Sequence, residues 1–209
     1  MSKIITSFYR GKIVESVHQT KCYIGSATDS KIFSTNNDND YFYPRSSIKI
    51  FQAIPFAKSK AIHSLKLNKK QIALSCSSHC GEEFHIKELN NWIKKTKFKL
   101  SDLNCGVHNS LNKNSAEKLL LSGSKPNELY NNCAGKHLAM LSSCILNKIT
   151  IKNYLSFNHS HQKKIRNVFS KFTGAAISKK MYGVDGCSAP QYAFKIKDIG
   201  KALINLFKS

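Results

Sequence analysis

Three short stretches of this chain concentrate side chains capable of nucleophilic or metal chemistry. Ser46-Ser47-Ile48-Lys49 sets a hydroxyl and an amine three residues apart, which on a helix brings Ser46 and Lys49 to one face within hydrogen-bonding reach. An uncharged lysine amine in that position can take the serine proton and turn the hydroxyl into a nucleophile. Ser-x-x-Lys also begins at Ser110, Ser115, Ser122 and Ser160, as expected by chance in a chain with 26 serines and 30 lysines. Only the run at Ser46 follows Pro44-Arg45, sits at a helix start and leads into an apolar face of Ile48, Phe51 and Ile54.

The second stretch, Ser75-Cys76-Ser77-Ser78-His79-Cys80-Gly81-Glu82, gathers hydroxyl, thiol, imidazole and carboxylate around a glycine that admits close backbone approach. Its plainer reading is a polar loop capping the next helix, with Ser77 or Ser78 ahead of Glu82. The third is Asn131-Asn132-Cys133-Ala134-Gly135-Lys136-His137, which pairs with Asp185-Gly186-Cys187. Cys133 and Cys187 are either two buried thiols or, as thiolates, half of a zinc site. Ligand chemistry alone favours His137 as a third donor, because an ordinary lysine is protonated and has no lone pair to give. Lys136 serves only if burial or the metal's own charge keeps it neutral. Of just 12 acidic residues, Glu82 and Asp185 fall inside these motifs and Glu15 inside the polar run Val14-Glu15-Ser16-Val17-His18, where they could orient an amine or bind an ammonium.

The elements that would carry these residues are partly readable. Residues 10–35 hold short β-prone stretches, Lys12–His18, Lys21–Ala27 and Lys31–Thr35, which predict an antiparallel meander. Asn36–Asp40 is a polar turn, and the segment after Pro44 is helical with Ser46 at its N-terminus. Apolar residues recurring every three or four predict further helices at Glu82–Lys95, Ala134–Leu146, Ser160–Phe172 and Ile199–Phe207. At 209 residues and 41% apolar content, one domain with a substantial core is expected, and no run approaches the roughly 18 apolar residues of a membrane span. The N-terminus lacks the long apolar core of a secretory signal, so the cytoplasm is expected, with the seven cysteines as thiols, ligands or core residues. A net charge of +21 would ordinarily point to nucleic acid. Against it, only three of the 33 basic residues are Arg, the lysines are scattered, and 18 Asn accompany them, a pattern of compositional drift.

Taken in order, the blocks resemble a known family. Arg10, Val14-Glu15-Ser16-Val17-His18, Pro44-Arg45-Ser46-Ser47-Ile48-Lys49, Gln52-Ala53-Ile54-Pro55, Leu74 through Glu82 with His85, Cys105-Gly106-Val107-His108, Asn131 through His137, Met140-Leu141, Tyr154-Leu155 and Asp185 through Pro190 look like those of the rhizobial-type L-asparaginases. The resemblance implies a serine β-lactamase-like fold, α+β with an antiparallel sheet flanked by helices, and hydrolysis of L-asparagine to L-aspartate and ammonia. It implies Ser46 and Lys49 as one catalytic Ser-Lys pair, Ser78 as the serine of a second, and zinc held by Cys133, Lys136 and Cys187 with water. Substrate contacts are implied at Arg45, Glu15, His18, His79 and Glu82, and at Asn132, Gly135, His137 and Asp185. The lysine partnering the second serine comes, in the family, from a later C-terminal part, so Ser78 is expected to lack its partner and the domain spanning 1–209 to be incomplete. Apolar surface left uncovered would then favour a homo-oligomer or a complementing C-terminal fragment. An inactive family remnant that binds metal or substrate at best is the alternative to an active enzyme, and a basic nucleic-acid-binding protein is a more distant one.

Overall fold

A computed structural model describes residues 3–28, 30–35 and 39–209. Of the polar turn Asn36–Asp40, only Asn39 and Asp40 lie within the described residues. The chain divides into two compact units: Met1–Pro44, Phe169–Met181 and Tyr192–Ser209 form the first, Arg45–Val168 and Tyr182–Gln191 the second.

In the first unit, β1 (Ile4–Arg10) and β2 (Ile13–Thr20) form an antiparallel hairpin. Gly11 at φ +59° makes its turn, a conformation that costs glycine little. The register runs from Ile4 opposite Thr20 to Arg10 opposite Ile13, with an irregularity between Phe8 and Tyr9. A second antiparallel ladder pairs β3 (Tyr23–Gly25) with β4 (Lys31–Ser34), and a third pairs β5 (Tyr41–Phe42) with β8 (Phe194–Lys195). α8 (Ile196–Phe207) follows and packs on β3. A Cβ at Gly200 would come within 2.6 Å of the Tyr23 ring, so the helix can lie that close only where a side chain is missing.

The second unit is helical. One turn of 3₁₀ helix, Arg45–Ile48, leads into α1 (Lys49–Ala57). There follow α2 (Ala61–Ser64), α3 (Lys69–Cys76), α4 (Glu83–Lys94), α5 (Lys113–Leu121), α6 (Ala134–Leu146) and the start of α7 (Ser160–Thr173). Asn68 begins α3 with a capping box: its side chain accepts from Gln71 N at 2.9 Å while Gln71 accepts from Asn68 N at 3.1 Å. α6 is buried along almost its whole length, from Ala134 to Cys144, and packs on α1, α3 and α4. A helix buried on every side is a core helix. Phe51, Phe56, Leu89, Trp92, Leu138 and Leu141 fill the space around it, and Trp92 donates its indole N–H to Ser142 Oγ at 3.2 Å. Two strands, β6 (Tyr182–Val184) and β7 (Pro190–Tyr192), pair on either side of the Asp185–Ala189 turn.

The fold is therefore mixed α+β, but its β part departs from the sequence expectation. Among the described residues the strands make four separate two-stranded ladders and no continuous antiparallel sheet, and the expected meander is two independent hairpins. Strands as short as two or three residues offer too few ladder bonds to recruit a neighbour, and β1 and β2 leave most side chains exposed. Ser46 lies in the 3₁₀ turn, one turn ahead of the α-helix proper.

Candidate active site

The second unit brings Ser46, Lys49 and Ser78 together. Lys49 opens α1 with only 1% of its surface exposed, and Ser78 comes from the loop that leaves α3. Lys49 Nζ donates to Ser78 Oγ at 2.7 Å and to the Ser77 carbonyl at 3.1 Å, while Ser78 Oγ donates to Ser46 Oγ at 3.0 Å. The order of the chain is Lys49, Ser78, Ser46. Where the spacing predicts a direct bond between Ser46 and Lys49, the two are joined through Ser78, which thus meets the lysine of the first pair. The spacing rule for a helix face did not allow for the 3₁₀ turn at Ser46 or for a third side chain seated between the pair.

Burial lowers the pKa of Lys49 from its ordinary value, and the positive charge of Lys136 adds to that, against the opposing pull of Cys133 and Cys187. The amine is thereby pushed toward the form that accepts a proton.

On the far side of Lys49 lies a sulfur pair. Cys133 precedes the first residue of α6, and its N–H is held by Asn131 Oδ1 at 2.9 Å. Cys187 projects from a tight turn closed by Ser188 N–H to Asp185 O at 2.8 Å, with Ser188 at φ +64°. The two thiols share a proton unequally. Cys187 is driven toward the thiolate by hydrogen bonding from Cys133, with His137 and Lys136 adding to the effect against burial; Cys133 is pushed up as the donor. Lys136 Nζ sits 3.2 Å from Cys187 Sγ. Two sulfurs and an amine thus meet in one buried place, and the first two can ligate zinc. Among the described residues no group of three or more His, Cys, Asp or Glu joins to hold a metal, so an ion here depends on Lys136 as donor.

His137 is fully buried, with its Nδ1 2.6 Å from Tyr154 Oη, and burial lowers its pKa while the neighbouring Cys187 opposes that. It lies within the core beside Cys187. A Cβ at Gly135 would lie 2.2 Å from the Leu74 carbonyl, so the missing side chain permits the close approach of α6 to α3.

Arg45 and Asp185 form an ion pair at 2.7 Å, with Arg45 largely exposed and Asp185 largely buried. Arg45 holds φ +54° immediately before Ser46, and its carbonyl accepts from Gln191 Nε2 at 3.2 Å. A left-handed backbone at a non-glycine residue costs on the order of 1–3 kcal/mol and persists only where its surroundings fix it.

His79 is buried, its Nδ1 accepting from Gly81 N at 3.1 Å, and burial pulls its pKa down to about 4. Its ring stacks on His85, centroids 5.3 Å apart, and His85 Nδ1 accepts from Glu82 N at 3.3 Å. Glu82 is half-buried ahead of α4. The His79 N–H donates to the Asn132 carbonyl at 3.3 Å, which ties the serine loop to the Asn131–Cys133 turn. Glu15 and His18 belong to the first unit and find partners in their own hairpin: Arg10 Nε donates to Glu15 Oε1 at 2.8 Å, and His18 lies beside Ser16 and Phe8. His108 and Tyr154 escaped notice as site residues because their partners are 24 and 17 positions away, beyond any spacing pattern.

A family model described as L-asparaginase II matches residues 6–209 of the chain. No curated protein matches it.

Proposed function

The chain belongs to the L-asparaginase II family, and on that premise we propose that it hydrolyses L-asparagine to L-aspartate and ammonia with a Ser-Lys nucleophile. The observation that carries the proposal is the hydrogen-bonded run from the buried amine of Lys49 through Ser78 to Ser46. Ser46 Oγ attacks the side-chain amide carbon while its proton passes to Ser78, whose own proton passes to Lys49. When the tetrahedral intermediate collapses, the ammonium of Lys49 returns a proton through Ser78 to the leaving nitrogen, and ammonia departs from an acyl ester on Ser46. Water then attacks that ester, losing its proton along the same route, and Lys49 returns it through Ser78 to Ser46 Oγ as the ester bond breaks and aspartate leaves. Such acid–base help is worth about 10²–10⁴-fold. Arg45 and Asp185 offer one cation and one anion to the α-carboxylate and α-ammonium of a free amino acid, with His79, Glu82 and Asn132 as further substrate contacts.

Cys133, Lys136 and Cys187 are the residues we propose to hold zinc. A bound cation would supply a fixed positive charge beside the site and pin the Asp185–Ala189 turn to the start of α6. His137, hydrogen-bonded to Tyr154, keeps the donors oriented from behind. The serine β-lactamase-like architecture and the cytoplasm belong to the same proposal, the latter because the thiols must stay reduced; all seven cysteines are unbridged. Among the described residues no helix is long and apolar enough to cross a membrane. Exposed Ile5, Phe8, Ile13 and Val17 on the β1–β2 hairpin support self-association.

The test is ammonia release from L-asparagine by the full chain, with and without added zinc, beside Ser46→Ala and Ser78→Ala. Both variants are expected to lose at least about 10²-fold in rate. A wild-type chain that releases no ammonia even with zinc sinks the enzyme reading and leaves the inactive remnant. Zinc content per chain, compared between wild type and Cys133→Ser, decides the metal separately.

A further inference from the structure

The segment from Cys105 to Leu111 has no helix or strand, yet it is bonded to both loops of the candidate site. Toward the loop after Ser78, Ser110 Oγ and Leu111 N both donate to the Cys80 carbonyl at 2.8 Å. Toward the turn before α6, the Cys105 carbonyl accepts from Asn131 Nδ2 at 2.7 Å, and His108 Nε2 accepts from Asn132 N at 3.0 Å. The His108 ring can accept there because its other nitrogen, Nδ1, is 2.7 Å from the Asn109 carbonyl and must carry the hydrogen. The Asn132 main chain is consequently gripped on both sides of its Cα, its N–H by His108 and its C=O by the backbone N–H of His79. Its half-buried side-chain amide has no hydrogen-bond partner among the described residues.

We infer that His108 is a positioning residue, which fixes the Asn132 main chain so that the Asn132 side-chain amide is held ready for a polar group of the substrate beside Ser78. The inference rests on the asparaginase reading for the identity of that substrate, but the mechanical claim stands on the geometry alone. The Asn132 N–H donates to His108 Nε2, so removing the ring leaves it to water and frees the main chain there. An acceptor of similar reach restores it, and the Gln carbonyl oxygen is one.

The experiment compares wild type, His108→Ala and His108→Gln in two measurements on the full chain. Hydrogen exchange at the Asn132 amide is expected to speed up about tenfold or more in His108→Ala and to return toward wild type in His108→Gln. In ammonia-release kinetics, His108→Ala is expected to raise KM about tenfold while kcat changes less, with His108→Gln again restoring it. Adding Asn132→Ala to His108→Ala should raise KM little further, since both changes remove the same contact. Unchanged exchange at Asn132 in His108→Ala overturns the inference. So does a folded His108→Gln that exchanges fast there, or a parallel loss of kcat and Tm with KM unmoved. Should the wild type release no ammonia, the asparaginase reading fails while the exchange measurement still decides the role of His108.

Discussion

Burial, with the positive charge of Lys136 adding to it, works against the ammonium form of Lys49 despite the opposing pull of Cys133, and that amine stands two hydrogen bonds from Ser46. A buried ammonium is a cost to folding, and replacing such a group with an apolar side chain of similar length is often neutral or stabilising. Lys49→Met is therefore expected to keep or raise Tm while lowering kcat for asparagine by about 10²–10⁴-fold. Lys49→Arg should not rescue it, because guanidinium stays charged and cannot accept the serine proton. A Met variant with wild-type kcat would remove Lys49 from the chemistry. At this scale spacing and motif order picked out Ser46, Lys49 and Ser78, which the structure places in one hydrogen-bonded run. It could not see that Ser78 lies between Ser46 and Lys49, because that depends on where the loop after α3 returns, 29 residues further along.

Packing between α3 and α6 sets the distance between the serine loop and the thiol pair, since one helix ends just before Ser77 and the other begins just after Cys133. The contact is closest where the Leu74 carbonyl overlies Gly135, at 2.2 Å from the place a Cβ would occupy. Leu74 and Gly135 are both buried and the clash is with helix main chain, so neither can swing aside. Gly135→Ala is expected to destabilise by about 1–3 kcal/mol or more, read as a fall in urea midpoint with unchanged m-value. A variant as stable as wild type would show that the two helices separate freely. Helices with long apolar periods were legible at this scale: α4, α6, α7 and α8 all fall within a few residues of their expected positions. α3 and α5 were not read, although Asn68 with Gln71 was a visible cap, because their apolar residues are few and make only a weak stripe. β6, β7 and β8, at two or three residues, are too short for an alternating pattern to register.

For the molecule as a whole the dominant facts are a charge of +21 with only 12 acids, and buried histidines that must stay neutral. His79 and His161 are both shielded from water, and burial, reinforced by neighbouring cations and histidines, brings each pKa down to about 4. In the unfolded chain each titrates near 6.5. Between those values the unfolded state binds more protons than the folded one, so stability is complete above about pH 6.5 and drains away as pH falls toward 4. The two together account for at most roughly 7 kcal/mol over that window, comparable with the whole stability of many domains. Protonation also adds positive charge to a chain already repelling itself, so the loss should be steeper at low salt, where screening is weak. Urea midpoints measured from pH 8 to 4 at about 20 and 200 mM salt are expected to be flat above neutrality and to fall between pH 6.5 and 4, more at the lower salt. Replacing His161 with Phe, which cannot take a proton, should shallow that fall without changing the plateau by as much. A midpoint that holds steady down to pH 4 would mean that these histidines find partners in solution which keep their charge at little cost.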